Sequence, residues 1–431
     1  MASDSVGGTE HQREILRRGV DSIVPAEEFV KKLDRSVRTG TPLRVKYGID
    51  PTGIDVHLGH TVALRKLRQF QDLGHTAVVI IGNYTALVGD PSGRDETRSK
   101  LTEDQVHANA RDYLHQVGRI IDLDRAEVHH NGDWFSTWSF LDVLDLTRQM
   151  TLSQMSARED FANRLQAGKP VYLHECLYPL MQGWDSVEVR ADVELGGTEQ
   201  LFSLLVARDL QTSEGQPPQV AMTMPILVGT DGTRRMGKSL GNYIGVAEDP
   251  VTQFAKVMSI PDGPMRQYFT LLTDLPMAEV DALLAPGINP RDAKEALGKA
   301  IVAQYSGPEA ADRAAAEFRR RASGEDPTTI PVIGLDDRTR DSYDLARLIV
   351  DTLKFETSTS NVRRKFEEGA VKIGREKYVV IGPRATISVR LQDDPAAVVL
   401  DQEGKDPVRF PLDEFIVRYG KHKIARLRFT P

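Results

Sequence analysis

Two kinds of apolar pattern alternate along the first half of this chain. From His60 to Leu73 apolar residues recur at Val62, Leu64, Leu67, Phe70 and Leu73, the spacing of one helix face, and Gly74 stops it. Ala77 to Ile81 is instead an unbroken apolar run of strand length, as expected of a parallel strand buried on both faces. With a short strand candidate at Pro42–Gly48, these make a strand-helix-strand unit. Residues 1–40 read as helix through Ile15, Val20, Ile23, Phe29, Val30 and Leu33, and residues 100–185 are mostly helical in pattern. Val187–Leu195 reads as a strand, Thr198–Leu210 as a helix after two glycines, and Val220–Val228 as another strand. The pattern predicts an α/β fold, a Rossmann-type doubly wound parallel sheet with a helical insertion at about 100–185. Residues 1–245 would form that domain and 246–325 an all-helical one, with breaks at Pro261, Pro276 and Pro286. A linker at 326–342 and a small α+β domain at 343–431 complete the expected organisation.

Composition narrows the class. Of 431 residues, 27% are charged and 40% hydrophobic, which is ordinary for a soluble globular protein. No apolar stretch approaches a membrane span, and Met1–Gln12 lacks the apolar core of a signal peptide. The single cysteine, Cys176, excludes a disulfide framework and a cysteine-built zinc site, so a reducing, cytoplasmic location is expected. The net charge is −7, but from Asp344 onward 17 Lys and Arg face 13 Asp and Glu, a balance of +4 that leaves −11 on the rest. A basic end on an acidic body suits a module that meets phosphates, although a solvated domain gives the same count.

Five motifs carry chemistry. His57-Leu-Gly-His60 follows Asp50-Pro-Thr where a strand gives way to a helix, a position that offers an anion free N–H groups and a positive dipole end. Alone, two such histidines read equally as helix caps. Gly232-Thr-Arg-Arg-Met-Gly237-Lys238-Ser239 matches the P-loop pattern residue for residue. A P-loop must lead into a helix, however, and Leu240-Gly-Asn-Tyr-Ile-Gly245 is poor helix material. The better reading is a mobile basic loop in which Arg235 and Lys238 clamp a departing pyrophosphate. Gly89-Asp90-Pro-Ser-Gly-Arg94, with Arg98 beyond, follows a strand end, where Asp90 can hold an ammonium group and the arginines can reach polyphosphate. Tyr178, Gln182 and Asp185 fall at i, i+4 and i+7 on one helix face, a set suited to a small polar zwitterion. Gly196-Gly197-Thr-Glu199-Gln200 opens the next helix, with Glu199 placed to accept from ribose.

With these residues in view, the chain resembles the bacterial tyrosyl-tRNA synthetases, a class I aminoacyl-tRNA synthetase family, from about Arg13 to its end. His57–His60 is similar to that family's HIGH signature and Arg235–Ser239 to its KMSKS signature, with Arg235 where lysine is usual. The resemblance implies a ligase that activates L-tyrosine with ATP and magnesium, then transfers it to tRNA. It also implies a homodimer supported by the insertion, a helical anticodon-binding domain, and a ribosomal-protein-type RNA-binding module at 343–431. Carried over by position, His57, His60 and Thr52 would stabilise the ATP phosphates, and Lys238, Arg235 and Ser239 would act in the loop. Asp90, Tyr178 and Gln182 would bind the amino group, Asp185 the phenolic hydroxyl and Gln200 the carboxylate region. Asp50, Gly59, Gly197 and Glu199 would meet the nucleotide, Arg94 and Arg98 the phosphates. Arg363, Arg364, Lys365, Lys372, Lys421 and Lys423 would face RNA. No protein-bound metal is implied.

Five positions depart from the family's usual residues: Tyr47, Asn83, Cys176, Trp184 and Glu199. Cys176 and Trp184 are expected to flank the side-chain pocket. They leave open a specialised paralogue, inhibitor-tolerant or activating a tyrosine-like amino acid for biosynthesis. A nucleotidyltransferase and a non-catalytic RNA-binding protein are the remaining alternatives.

Overall fold

The computed structural model describes residues 8–51, 56–90, 102–323, 325–328, 330–335, 342–381, 384–390, 397–403, 405–412, 415–420 and 423–429. The chain divides into two compact units, one ending at Ala315 and the other beginning at Ala316.

The first unit is built on a six-stranded sheet: β1 (Ser22–Val24), β2 (Arg44–Ile49), β3 (Thr76–Ile81), β4 (Ala126–His130), β5 (Val193–Gly197) and β6 (Val220–Met224). Their order is β1-β6-β5-β2-β3-β4. All neighbours are parallel except β1, which lies antiparallel on β6. The order therefore reverses between β2 and β5. At such a point the connections leave toward opposite faces and open a crevice beyond the carboxyl ends of the two strands. β3 is buried from Ala77 to Ile81, which accounts for its unbroken apolar run. The Leu58–Asp72 helix buries Val62, Leu64, Leu67 and Phe70 against the sheet.

Several boundaries differ from the sequence reading. Two helices, Thr9–Arg17 and Ala26–Thr39, flank the three-residue β1, so the first 40 residues are not continuous helix. β4 interrupts the helical stretch. It pairs with β3 alone, none of its residues is fully buried, and Ala-Glu-Val-His-His shows no apolar run. Val187 lies in the last turn of the Leu173–Glu188 helix, and the strand begins only at Val193. Of the helices expected to stand apart after residue 245, those up to Ser306 belong to the first unit, and the Pro308–Ala322 helix spans the boundary. Val257, Phe269, Leu272 and Leu297 share one core with Leu64 and Leu67. The Arg18 guanidinium ties them further, donating to the carbonyls of Thr270 (3.2 Å), Leu275 (2.7 Å) and Phe269 (3.1 Å). The insertion has its own core of Phe135, Leu146, Met155, Phe161, Leu180 and Leu210.

The second unit holds β7 (Val332–Leu335), β8 (Ser342–Asp344), β9 (Val371–Ile373), β10 (Tyr378–Val379), β11 (Ala385–Arg390), β12 (Ala397–Gln402), β13 (Val408–Pro411), β14 (Ile416–Tyr419) and β15 (Lys423–Phe429). They form two sheets, β10-β9-β14-β15-β7 and β13-β12-β11-β8. β7 occupies part of the expected linker, pairing parallel with β15. The Thr359–Glu367 helix buries Val362 and Phe366 in a core with Leu345, Ile373, Phe415 and Val417. Its cations have acidic neighbours within the unit. Arg363 lies 3.4 Å from Asp344 and Arg364 3.8 Å from Glu368, which also pairs with Lys365. Lys423 donates to the Phe355 carbonyl, and Lys372 lies on β9. Lys421 falls outside the described residues.

Candidate active site

A cleft of about 760 Å³ opens where β2 and β5 end. It brings together Asp50, His57, Gly59, His60, Asp90, Tyr178, Gly197, Glu199, Gln200, Arg235, Lys238 and Ser239, residues from positions 50 to 239 in the chain. Thr52, Arg94 and Arg98 fall outside the described residues.

The two histidines do cap the helix, and that fixes their chemistry. His57 Nδ1 accepts from the Gly59 N–H (3.1 Å), and His60 Nδ1 accepts from the His57 N–H (3.2 Å). A ring nitrogen that accepts carries no proton, so each neutral imidazole has its proton on Nε2. The rings stack at 3.8 Å. Burial lowers the His57 pKa to about 4; burial, followed by the adjacent His57, lowers that of His60 to about 3. The result is a pair of neutral Nε2–H donors whose charge state does not change near neutral pH. Gly59 leaves room for the capping ring: a Cβ there would sit 3.0 Å from His57 Cε1 and Nδ1.

The Lys238 loop is no P-loop. Lys238–Leu240 makes a single 3-10 turn, Gly241 takes a left-handed conformation, and the next α-helix starts only at Pro250. Asn242, buried, braces the loop from within. Its Oδ1 accepts from the Gly237 N–H (2.9 Å), and its Nδ2 donates to the Arg235 carbonyl (3.0 Å) and to Asp231 (2.8 Å).

Across the cleft, Tyr178, Gln182 and Asp185 lie on the Leu173–Glu188 helix but have different surroundings. Only Tyr178 lines the cleft; its hydroxyl donates to Asp50 Oδ2 (2.9 Å). Gln182 Nε2 donates to Glu194 (3.1 Å). Asp185 is buried and accepts from Trp134 Nε1 on one oxygen (3.1 Å) and Asn131 Nδ2 on the other (3.3 Å). Burial raises its pKa to about 7, opposed by Lys46 and these two donors. Asn131 also donates to Thr85 (3.0 Å), whose hydroxyl donates to Asp50 (2.7 Å). A hydrogen-bonded chain thus joins Tyr178 to Asp185 through three side chains. A Cβ at Gly82 would overlap both Asp50 and Thr85, so that chain needs glycine there. Gln200 Oε1 accepts from the Gly197 N–H (2.9 Å), which leaves its NH₂ as a donor. Asp90 lies 4.0 Å from Arg158 of the insertion.

Three of the five unusual residues stand away from the cleft. Trp184 packs edge-on against Trp138 (5.2 Å) and donates to Glu188 (2.8 Å). Cys176 joins the same insertion cluster, and neither residue lines the cleft. Asn83 accepts from the Gly132 N–H (2.8 Å). Tyr47 and Glu199 do line it.

The family model described as tRNA synthetases class I (W and Y) matches residues 38–323, a span that holds both the histidine pair and the Lys238 loop. The chain belongs to this family. A tyrosine–tRNA ligase of Moorella thermoacetica is 48% identical over 421 residues, 96% of this chain and 95% of that protein. One of Burkholderia lata is 42% identical over 97% of this chain and 95% of its own length. Among solved structures, the Archaeoglobus fulgidus tyrosyl-tRNA synthetase complexed with L-tyrosine aligns with a TM-score of 0.59 and 22% identity, covering 71% of this chain and 99% of that one. At that identity the likeness shows the class I fold.

Thr85, Asn131, Trp134, Lys46 and Glu194 were not singled out for the site by the sequence motifs. For Glu194 there was a signal: it is a charged residue inside an otherwise uncharged strand. Nothing local marks Asn131.

The capping geometry predicts that nitrogen NMR shifts of His57 and His60 stay those of the neutral Nε2–H form from pH 8 to pH 5. Imidazolium signals appearing near pH 6.5 would contradict it. Since both folded values lie below the unfolded one, the unfolded chain takes up protons first. Stability is therefore expected to fall as pH drops from about 6.5 toward 4.

Proposed function

We propose that this chain is a tyrosine–tRNA ligase, activating L-tyrosine with ATP and passing it to the 3′ end of its tRNA. The observation that carries this reading is one cleft in which two Nε2–H imidazoles share a wall with a cationic loop, while a clamped, buried carboxylate lies on the helix opposite. Relatives named tyrosine–tRNA ligase over nearly their whole length support it.

The tyrosine carboxylate oxygen attacks the α-phosphorus of ATP, the bond to the β-phosphate breaks, and pyrophosphate leaves. His57 and His60 donate to phosphate oxygens as their charge grows. Arg235 and Lys238, with Ser239, hold the leaving pyrophosphate, and this interaction strengthens in the transition state. Because Tyr178 gives its proton to Asp50, its oxygen is left to accept from the substrate ammonium, alongside Gln182 and Asp90. The Gln200 NH₂ donates to the substrate carboxylate. Gly197 and Glu199 hold the ribose, with Asp50 and Gly59 beside the nucleotide. Asp185, already held by Trp134 and Asn131, reads the phenolic hydroxyl with its remaining acceptor capacity, and an analogue without the hydroxyl leaves that capacity of a buried carboxylate unmet. The tRNA hydroxyl then attacks the tyrosyl carbonyl and AMP leaves. Thr52, Arg94 and Arg98 keep the phosphate-side roles the resemblance gives them.

Magnesium enters with ATP, whose phosphates supply its ligands and whose charge it offsets. Among the described residues no group of three or more His, Cys, Asp or Glu is placed to hold a metal ion. The second unit contacts tRNA through its basic residues, and charging takes place in the cytoplasm. Among the described residues no helix is long and apolar enough to cross a membrane. The insertion exposes Phe140 (74%), Leu141 (68%), Leu152 (76%) and Leu173 (83%) within 34 residues of sequence. Large exposed apolar side chains of this kind suit a partner-facing surface, and we propose that a second copy covers them.

Lys238→Ala is expected to lower the rate of ATP–pyrophosphate exchange by about 10²–10³-fold while tyrosine binding changes little. Equal losses in both would remove the transition-state role. Asp185→Asn should cut the preference for tyrosine over phenylalanine by at least about 100-fold. It should also abolish an ionisation near pH 7, above which the wild-type kcat/KM for tyrosine rises. An unchanged ratio would take Asp185 out of hydroxyl reading. Leu173→Glu should convert the sedimenting species from dimer to monomer, and a wild-type monomer would overturn the assignment of this face.

A further inference from the structure

The proposed reaction makes no direct use of the most deeply buried ion pair. Lys46 of β2 and Glu194 of β5 are register partners across the two strands that end at the cleft. Both side chains are 0% exposed, with Nζ 2.9 Å from Oε1. A buried pair of this kind is seldom explained by stability, since apolar replacements serve as well or better. Its contacts give another reason. Lys46 Nζ also donates to the Gln182 carbonyl (2.7 Å) and Ser186 Oγ (2.8 Å). Glu194 accepts from Gln182 Nε2 (3.1 Å), Ser186 Oγ (3.1 Å) and Gln219 Nε2. Both charged groups therefore act on Gln182, one on its backbone and one on its amide.

We propose that the Lys46–Glu194 pair sets the orientation of the Gln182 amide, making Glu194 a positioning residue for the substrate's ammonium group. An ionised carboxylate only accepts, so the amide must turn its NH₂ toward Glu194. Its Oε1 is then the prong left to accept. One turn earlier on the helix, the Tyr178 oxygen is freed as an acceptor in the same way, by donating to Asp50. Asp90 lines the same cleft. An ammonium group has three protons to donate; Tyr178 and Asp90 line the cleft, and Gln182, one turn beyond Tyr178 on the helix, supplies the third acceptor of the proposed reading. A flipped amide would present NH₂ to a cation instead. Lys46 lies 2.9 Å from Glu194, and an ion pair adds no net charge beside Asp185. The inference rests on the proposed role of Gln182, and the experiment separates the two.

The full-length enzyme is assayed by ATP–pyrophosphate exchange. The probe is the KM for tyrosine set against inhibition by 3-(4-hydroxyphenyl)propanoate, which lacks the amine. Glu194→Gln is expected to raise the KM for tyrosine on the order of tenfold, the loss of one charged hydrogen bond. The KM for ATP and the inhibition constant should stay near wild type, so the preference for the amine collapses as it does in Gln182→Ala. If Glu194→Gln fails to fold around an unpaired Lys46, the neutral double variant Lys46→Met/Glu194→Gln gives the same readout. An unchanged preference in the Glu194 variants, with collapse in Gln182→Ala, would show the pair to be merely structural. An unchanged preference in Gln182→Ala would overturn the role of Gln182 itself, and the inference with it.

Discussion

The parallel pairing of β2 with β5 is the constraint on which the rest of the site depends. It is the place where strand order reverses, so the helix after β2 and the turn after β5 leave toward different faces. The histidine pair rides on the first and Gly197, Glu199 and Gln200 on the second. Neither group is near the other in sequence. The pairing also places Lys46 beside Glu194 in the sheet interior, where a one-residue slip would strand each charge against apolar neighbours. The charges thus specify the register that makes the cleft.

A second regularity is that hydrogen bonds spent inside the protein decide which atoms are left for substrate. His57 and His60 lose Nδ1 to backbone N–H groups and keep Nε2–H. Tyr178 spends its proton on Asp50, and Gln200 spends its oxygen on Gly197. Each expenditure turns an ambiguous group into a donor or an acceptor. Helix capping and phosphate binding, which compete as readings of His-x-Gly-His in sequence, are compatible here: the cap orients the Nε2–H donors that the proposed phosphate role uses.

Much of this was legible in sequence, and the rest was hidden for physical reasons. The histidine and Lys238 motifs announce themselves because local backbone geometry, a strand-to-helix junction and a glycine-broken loop, is encoded by neighbouring residues. Asn131 and Trp134 reach Asp185 from 54 and 51 positions away, and no local pattern encodes that distance. β4 escaped notice because an edge strand half in solvent needs no apolar run. The helices after residue 245 read as a separate domain because their proline breaks are local. Their attachment, through Phe269 and Leu272 in the sheet's core and through Arg18 on three carbonyls, is not.

The same reasoning sorts the unusual residues. Periodicity placed Trp184 next to Asp185, but adjacent helix residues point about 100° apart, and the indole turns to Trp138 while the carboxylate turns to Trp134. Cys176 and Asn83 are likewise absorbed by the insertion core and by the Gly132 turn. What remains in the cleft is Tyr47 and Glu199. The carboxylate proposed to read the hydroxyl is held by Asn131 and Trp134, neither of which is among the departures. The substitutions that first suggested a different amino acid therefore bear on the insertion's packing, on the Gly132 turn and on other parts of the cleft wall, and leave the contacts of Asp185 intact.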